Sequence, residues 1–203
     1  MDKYNLKTGD ILLFDYNGNT GLWYYLSKMI KLFTYSSYTH VAMVLVNPTT
    51  INDKLTGCYI WHSSWTGIRD PQDNKIKLGV QITPFDDIYK EYLETNSNIY
   101  VRRINYKENP FTDSKINDIH SKVYCKLYDF IPKDWLEAII HVDSEPKKTD
   151  RFWCSAFIGY IYSMCDIISS KIDWSILRPS DFSSSSQIPL NDEYILGIEE
   201  KIL

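Results

Sequence analysis

Thr39-His40-Val41-Ala42-Met43-Val44-Leu45-Val46 is the stretch from which the fold is read. Val41 to Val46 is the longest clean apolar run in the chain, far too short to span a bilayer, and it reads as a strand ended by Asn47-Pro48. His40 opens that strand directly after the polar run Thr34-Tyr35-Ser36-Ser37-Tyr38-Thr39. Its ring is therefore expected at a sheet end rather than in the core.

Gly57-Cys58-Tyr59-Ile60-Trp61-His62 reads as the next strand, Val80-Gln81-Ile82 as a third and Asn98 to Ile104 as a fourth. Upstream, Leu6-Lys7-Thr8-Gly9-Asp10 is a turn leading into the short buried strand Ile11-Leu12-Leu13-Phe14. Leu22, Leu26, Ile30 and Phe33 recur at helical spacing, and a helix packed on the sheet explains them better than a membrane-surface helix. Thr83 is placed to cap a helix with Pro84 at its first position. Ile116, Ile119, Val123 and Leu127 predict a helix from Thr112 to Phe130, and a short one is expected over Asp134 to His141. Cys154 to Ser169 is expected to be helical, with Phe157, Ile158, Ile161, Cys165 and Ile168 on its apolar side. Ser63 to Asp73 reads as a loop, and the tail, with Arg178-Pro179-Ser180-Asp181-Phe182 and Ser183 to Ser186, as irregular. The fold class is α+β, a small, mostly antiparallel sheet flanked by helices, in one domain over residues 1–203.

Composition narrows the function. At 44% hydrophobic residues the chain has a core and is not disordered. With 22 Lys+Arg against 26 Asp+Glu the net charge is −4, and no basic block offers nucleic acid a phosphate-neutralising surface. The abundance of Tyr, Ile, Asn and Lys is what AT-rich coding produces, and part of the bias is read that way, so the tyrosines are not by themselves a stacking surface. None of the four cysteines forms a C-x-x-C pair and no H-x-x-x-H lies near them, which argues against structural zinc. The polar Met1-Asp2-Lys3-Tyr4-Asn5 start has no apolar signal-peptide segment, so a reducing, cytoplasmic setting with free thiols is expected.

Cys154 stands where a loop becomes a helix, after Asp150-Arg151-Phe152-Trp153. A thiol in a first helical turn faces the positive end of the dipole and free N–H groups, which favour thiolate and are able to hold an oxyanion. The plain alternative is a buried small hydrophobe, the commoner fate of a cysteine. A cysteine nucleophile needs an imidazole to take its proton, and His40 is placed for that. If the strands at 41–46 and 58–62 are antiparallel neighbours, His62 reaches the same sheet edge and is able to fix the tautomer of His40. Taken alone, each histidine is as readily a packed structural residue. His120 and His141 read as structural or surface residues, and Cys58, Cys125 and Cys165 as inert core thiols.

Together, Leu6 to Phe14, Thr39-His40-Val41-Ala42-Met43-Val44, Trp61-His62 and Phe152-Trp153-Cys154-Ser155 resemble the circularly permuted branch of the NlpC-type papain-like hydrolases. That branch includes lecithin–retinol acyltransferase, bacterial permuted hydrolases and a poxvirus group, and in it the histidine strand precedes the cysteine helix, as here. Arg178-Pro179-Ser180-Asp181-Phe182 resembles a Pro-Ser-Asp segment that follows the cysteine helix in some members. The resemblance spans about Leu6 to Phe182 and is weak over 66–80 and 105–150.

By position it implies a permuted papain-like fold with Cys154 as nucleophile, His40 as base and His62 as the orienting residue. His62 is the loosest transfer, because the third residue varies in type between branches. The implied activity is that of a thiol hydrolase or acyltransferase working through an acyl-thioester, without metal or organic cofactor. Its substrate is a small molecule, lipid or peptide. Trp23, Tyr24, Tyr25, Trp61, Trp65 and Trp153 suit a lipid or an acylated peptide, the favoured substrate, and suit an ordinary core nearly as well. Peripheral membrane contact stays open. A large DNA virus is the favoured source, placing the protein in host cytoplasm or virion, with a bacterium as the other. The competing readings are a catalytically silent binding module on the same fold and a peptidase or isopeptidase.

Overall fold

The computed structural model describes residues 4–18, 37–129, 149–186 and 188–203. The helices expected over 22–33 and 134–141 lie outside these, as do Trp23, Tyr24, Tyr25 and His141.

The architecture is α+β. An eight-stranded sheet contains β1 (Ile11–Asp15), β2 (His40–Val46), β3 (Cys58–Ser64), β6 (Gly79–Pro84), β7 (Asn98–Tyr106), β8 (Leu127–Tyr128), β9 (Arg151–Phe152) and β10 (Tyr194–Lys201). Its strand order is β10-β7-β1-β2-β3-β6-β8-β9, antiparallel throughout except for β8 beside β9. A separate hairpin pairs β4 (Arg69–Asp70) with β5 (Lys75–Ile76). The described helices are α1 (Phe85–Glu94), α2 (Asp113–Val123) and α3 (Cys154–Met164), followed by the short 3-10 turns Trp174–Ile176 and Pro179–Phe182.

The central strands lack polar–apolar alternation because both of their faces are buried. Leu12, Phe14, Ala42, Val44 and Ile60 pack under Phe85, Ile88 and Tyr92 of α1. Ile11, Leu13, Val41, Met43, Leu45 and Trp61 pack on the opposite face, with Ile116, Ile119 and Val123 of α2 and most of α3. Helix α3 is buried at every position from Cys154 to Tyr162, as an all-round apolar sequence requires. Gly159 lets it approach the following turn, because a Cβ there would lie 2.7 Å from Leu177 Cδ1 and 3.0 Å from Trp174 Cβ. Asp10, fully buried, ties the first turn to the sheet by accepting from the N–H groups of Lys7 (2.9 Å) and Ile104 (3.2 Å).

Several elements differ from their sequence reading. The stretch read as a loop over Ser63 to Asp73 holds the end of β3 and the first strand, β4, of the β4–β5 hairpin. Helix α2, capped by Thr112 accepting from the Lys115 N–H, stops at Val123; Cys125 at φ 60° turns the chain, and Leu127 pairs in β8 instead of extending the helical stripe. Helix α3 ends at Met164, with Asp166 at φ 58°, so Ile168 bridges Leu190 rather than continuing the helix. The tail is not irregular to its end, since β10 pairs with β7 along the sheet edge. Among the described residues no helix is long and apolar enough to cross a membrane.

Candidate active site

Strands β2 and β3 are antiparallel neighbours, in the register Met43 opposite Trp61. Period-two alternation puts His40 on the side of Ala42 and Val44, and His62 on the side of Ile60, so both rings lie on the α1 face of the sheet. They meet there: His40 Nε2 lies 2.9 Å from His62 Nδ1, with the ring planes at 65°. His62 Nε2 in turn lies 3.0 Å from Thr83 Oγ1. Thr83 therefore does not cap α1; its hydroxyl is committed to His62, and Pro84 stands at the cap position with no side-chain bond. The three residues form a continuous chain across β2, β3 and β6, and His62 and Thr83 are each 1% exposed.

Burial holds both imidazoles neutral. It pushes His40 down to about 3. His62 falls well below the usual histidine range, from burial first and then from its proximity to His40. His40 keeps part of its surface open at the strand end, whereas His62 is enclosed.

Cys154 is the first residue of α3 and only 4% exposed. Backbone N–H groups of Val41, Ser155 and Cys154 itself, with the Ser155 side chain, favour its thiolate. Burial outweighs them and pushes the thiol up to about 11. The expectation of a stabilised thiolate is thus met by the N–H groups and reversed by desolvation. The thiol comes to the end of β2 through Val41, the neighbour of His40. Among the described residues it makes no hydrogen bond to the His40 ring.

A cavity of about 60 Å³ opens beside the histidines. His40 and His62 line it with Phe14, Tyr16, Thr39, Ile60, Ser64, Trp65, Thr66, Ile88, Glu91, Tyr92 and Tyr128. Cys154 is not among the lining residues. It lies behind the wall, close enough that its charge adds to the burial raising the phenols of Tyr92 and Tyr128. Of the aromatic residues read from the sequence as an acyl-chain surface, Trp65 lines the cavity, while Trp61 and Trp153 belong to the core on the α3 face.

The two histidines are thus brought into direct contact, and the cysteine is brought to the same strand end without a hydrogen bond to them among the described residues. Thr83, Glu91, Tyr92 and Tyr128 escaped the sequence reading; for Thr83, a threonine near a strand end, two residues beyond the partner of His62, was legible only as a cap. His120 lies elsewhere, its Nε2 hydrogen-bonded to Gln72 Oε1. Cys125, read as a core thiol, is exposed, whereas Cys165 is buried and Cys58 half-buried. Among the described residues no three His, Cys, Asp or Glu side chains converge in a metal-holding arrangement. Neither the family models nor the curated proteins compared with this chain match it.

Proposed function

We propose that the protein is a cysteine-dependent hydrolase or acyltransferase with the circularly permuted NlpC-type architecture, acting on an amide or ester bond through Cys154. The observation that carries this reading is the His40–His62–Thr83 chain ending at the strand terminus to which α3 delivers Cys154.

With His62 Nε2 donating to Thr83 Oγ1, His62 Nδ1 accepts from His40 Nε2–H, and His40 Nδ1 is left with a free lone pair. That nitrogen takes the thiol proton as the Cys154 Sγ–carbon bond forms. The Cys154 N–H, at the helix start, stabilises the oxyanion. Collapse of the tetrahedral intermediate breaks the bond to the leaving group, which receives the proton from His40. Water or another acceptor then repeats the sequence on the acyl-thioester. Because burial keeps thiol and imidazole neutral at rest, proton transfer accompanies attack rather than preceding it. The pocket walls are mainly aromatic and aliphatic, which supports a lipid or acylated-peptide substrate.

A binding module without chemistry is the second reading. It is favoured by the enclosed thiol, raised to about 11 and unbonded to His40. Incubation with p-nitrophenyl esters of graded acyl length, followed by intact-mass and peptide mapping, separates the two. The hydrolase gains one acyl group on Cys154, and the adduct is lost in Cys154→Ala and His40→Ala. Absence of any Cys154 adduct in the wild type overturns the hydrolase reading.

A further inference from the structure

Among the described residues Glu91 is the one acidic side chain lining the cavity. It is half-buried near the end of α1, and its carboxylate has no hydrogen bond or ion pair to compensate it among the described residues. Burial raises its pKa, and the neighbouring Glu94 raises it further. Among the described residues the other charges felt at the pocket have the same sign: Asp15 acts on the Tyr92 phenol and Asp129 on the Tyr128 phenol. Among the described residues no Lys or Arg lines the cavity, and burial holds His40 and His62 neutral. Around Glu91 stand aromatic rings, with Tyr16 and Tyr92 close enough to feel its charge and Trp65 and Tyr128 on the same walls.

A carboxylate drawn out of water without a partner is unfavourable, and filling the cavity with an alkyl chain that carries no cation would complete its desolvation and leave it unpaired, so the aromatic and aliphatic walls suit a lipid or acylated peptide that brings a positive charge with it. An anionic ligand would add repulsion. A cation reverses both terms: it pairs with the carboxylate, and the electron-rich ring faces attract it as well.

We propose that this cavity receives an ammonium group of the substrate, held by Glu91 and the rings of Tyr16, Trp65, Tyr92 and Tyr128. Glu91 is then the specificity-determining residue, and the acyl compounds preferred are those with a positive charge next to the scissile bond. The placement of that charge relative to the scissile bond rests on the hydrolase reading; the binding of the ammonium group does not.

Two measurements on the full chain keep these separate. Calorimetric titration compares choline and ethanolamine with 3,3-dimethylbutan-1-ol, the neutral isostere of choline. The wild type is expected to bind at least one of the two cations about tenfold or more tightly than the alcohol, and the stronger of the two identifies a quaternary or a primary ammonium. Glu91→Gln brings the ratio to about one, whereas Glu91→Asp, which keeps the charge, retains more of the preference than Gln. Thermal unfolding of each variant checks that it is folded. A wild-type ratio near one, or a ratio unmoved in folded Glu91→Gln, overturns the proposal. Turnover of acetylthiocholine against 3,3-dimethylbutyl thioacetate, with Cys154→Ala subtracted, tests the catalytic part. Charge-selective binding with no Cys154-dependent turnover leaves the ammonium site standing and removes the hydrolase; Cys154-dependent turnover blind to charge does the reverse.

Discussion

Two histidine environments invite comparison. His40 and His62 sit at one end of β2 and β3, and His120 sits on α2, over the opposite face of the sheet. Burial lowers the pKa in both places, so neutrality does not distinguish them. Their surroundings do. His120 is bonded to Gln72, stacked near Tyr124 (5.3 Å between centroids), and close to Lys77, which lowers its pKa after burial has done so. Gln72 is itself fixed by the Asp70 carboxylate, which also takes the Lys77 ammonium at 2.7 Å. That network is closed on itself. The His40–His62–Thr83 chain leaves one ring nitrogen unclaimed among the described residues, opens on a cavity and approaches a helix-start thiol. A buried histidine becomes a candidate catalyst through what its last nitrogen faces, not through its burial.

The largest expected effect tests that contrast directly. His40→Ala and Cys154→Ala are expected to lower kcat/KM on an activated ester by about 10³-fold, whereas His120→Ala leaves it within about threefold and instead lowers stability by about 1–2 kcal/mol. Comparable catalytic losses at His40 and His120 would erase the distinction.

Thiol chemistry sharpens it next. With Cys154 raised from 9 to about 11, its thiolate fraction near neutral pH is about 100-fold below that of an ordinary cysteine. Iodoacetamide is therefore expected to label exposed Cys125 first, with Cys154 labelling only as the pH climbs towards 11. Rapid Cys154 alkylation below pH 7 would mean that the site opens far more than its buried geometry allows.

The removal of one hydroxyl is a smaller change. Thr83→Val deprives His62 of its Nε2 partner and is expected to cost about tenfold in kcat/KM, close to 1.4 kcal/mol, with Thr83→Ser retaining most of the rate. Equal losses from Val and Ser would point to packing rather than tautomer control.

Stability against pH reads the same pair without a substrate. A histidine whose pKa drops from 6.5 to about 3 on folding binds fewer protons folded than unfolded between those values. Its contribution is complete above about 6.5 and is lost as the pH falls towards 3. Chemical denaturation across this window should show stability declining in the wild type and a shallower decline in His40→Gln. The smallest effect belongs to the other environment's support: Thr112→Ala removes the α2 cap, costs about 1 kcal/mol and leaves ester turnover unchanged.

Much of the site was legible in the chain. The apolar run after His40 and the Cys58–His62 stretch sufficed to place two antiparallel strands, and that pairing brought the two rings to one edge. The loop-to-helix transition at Cys154 was equally local. Thr83 was misread because the residue before a proline, at a strand end, satisfies the pattern of a helix cap; its actual partner lies 21 residues away. Leu127 and Ile168 extended helical stripes that the left-handed turns at Cys125 and Asp166 cut short. β10 was missed because its partner β7 is about ninety residues upstream, and its solvent-facing edge carries charged residues that do not read as a strand.

The sequence by itself determined the order histidine strand, histidine strand, cysteine helix, because side-chain periodicity and helix starts are written within a few residues. Only the tertiary structure decided how those groups titrate and what surrounds them. Desolvation is set by every atom packed nearby, whichever part of the chain supplies it. The same burial that surrounds His40, His62 and Cys154 at one strand end therefore overturned the thiolate expected from the helix start, and among the described residues it left Glu91 without a cation amid aromatic rings.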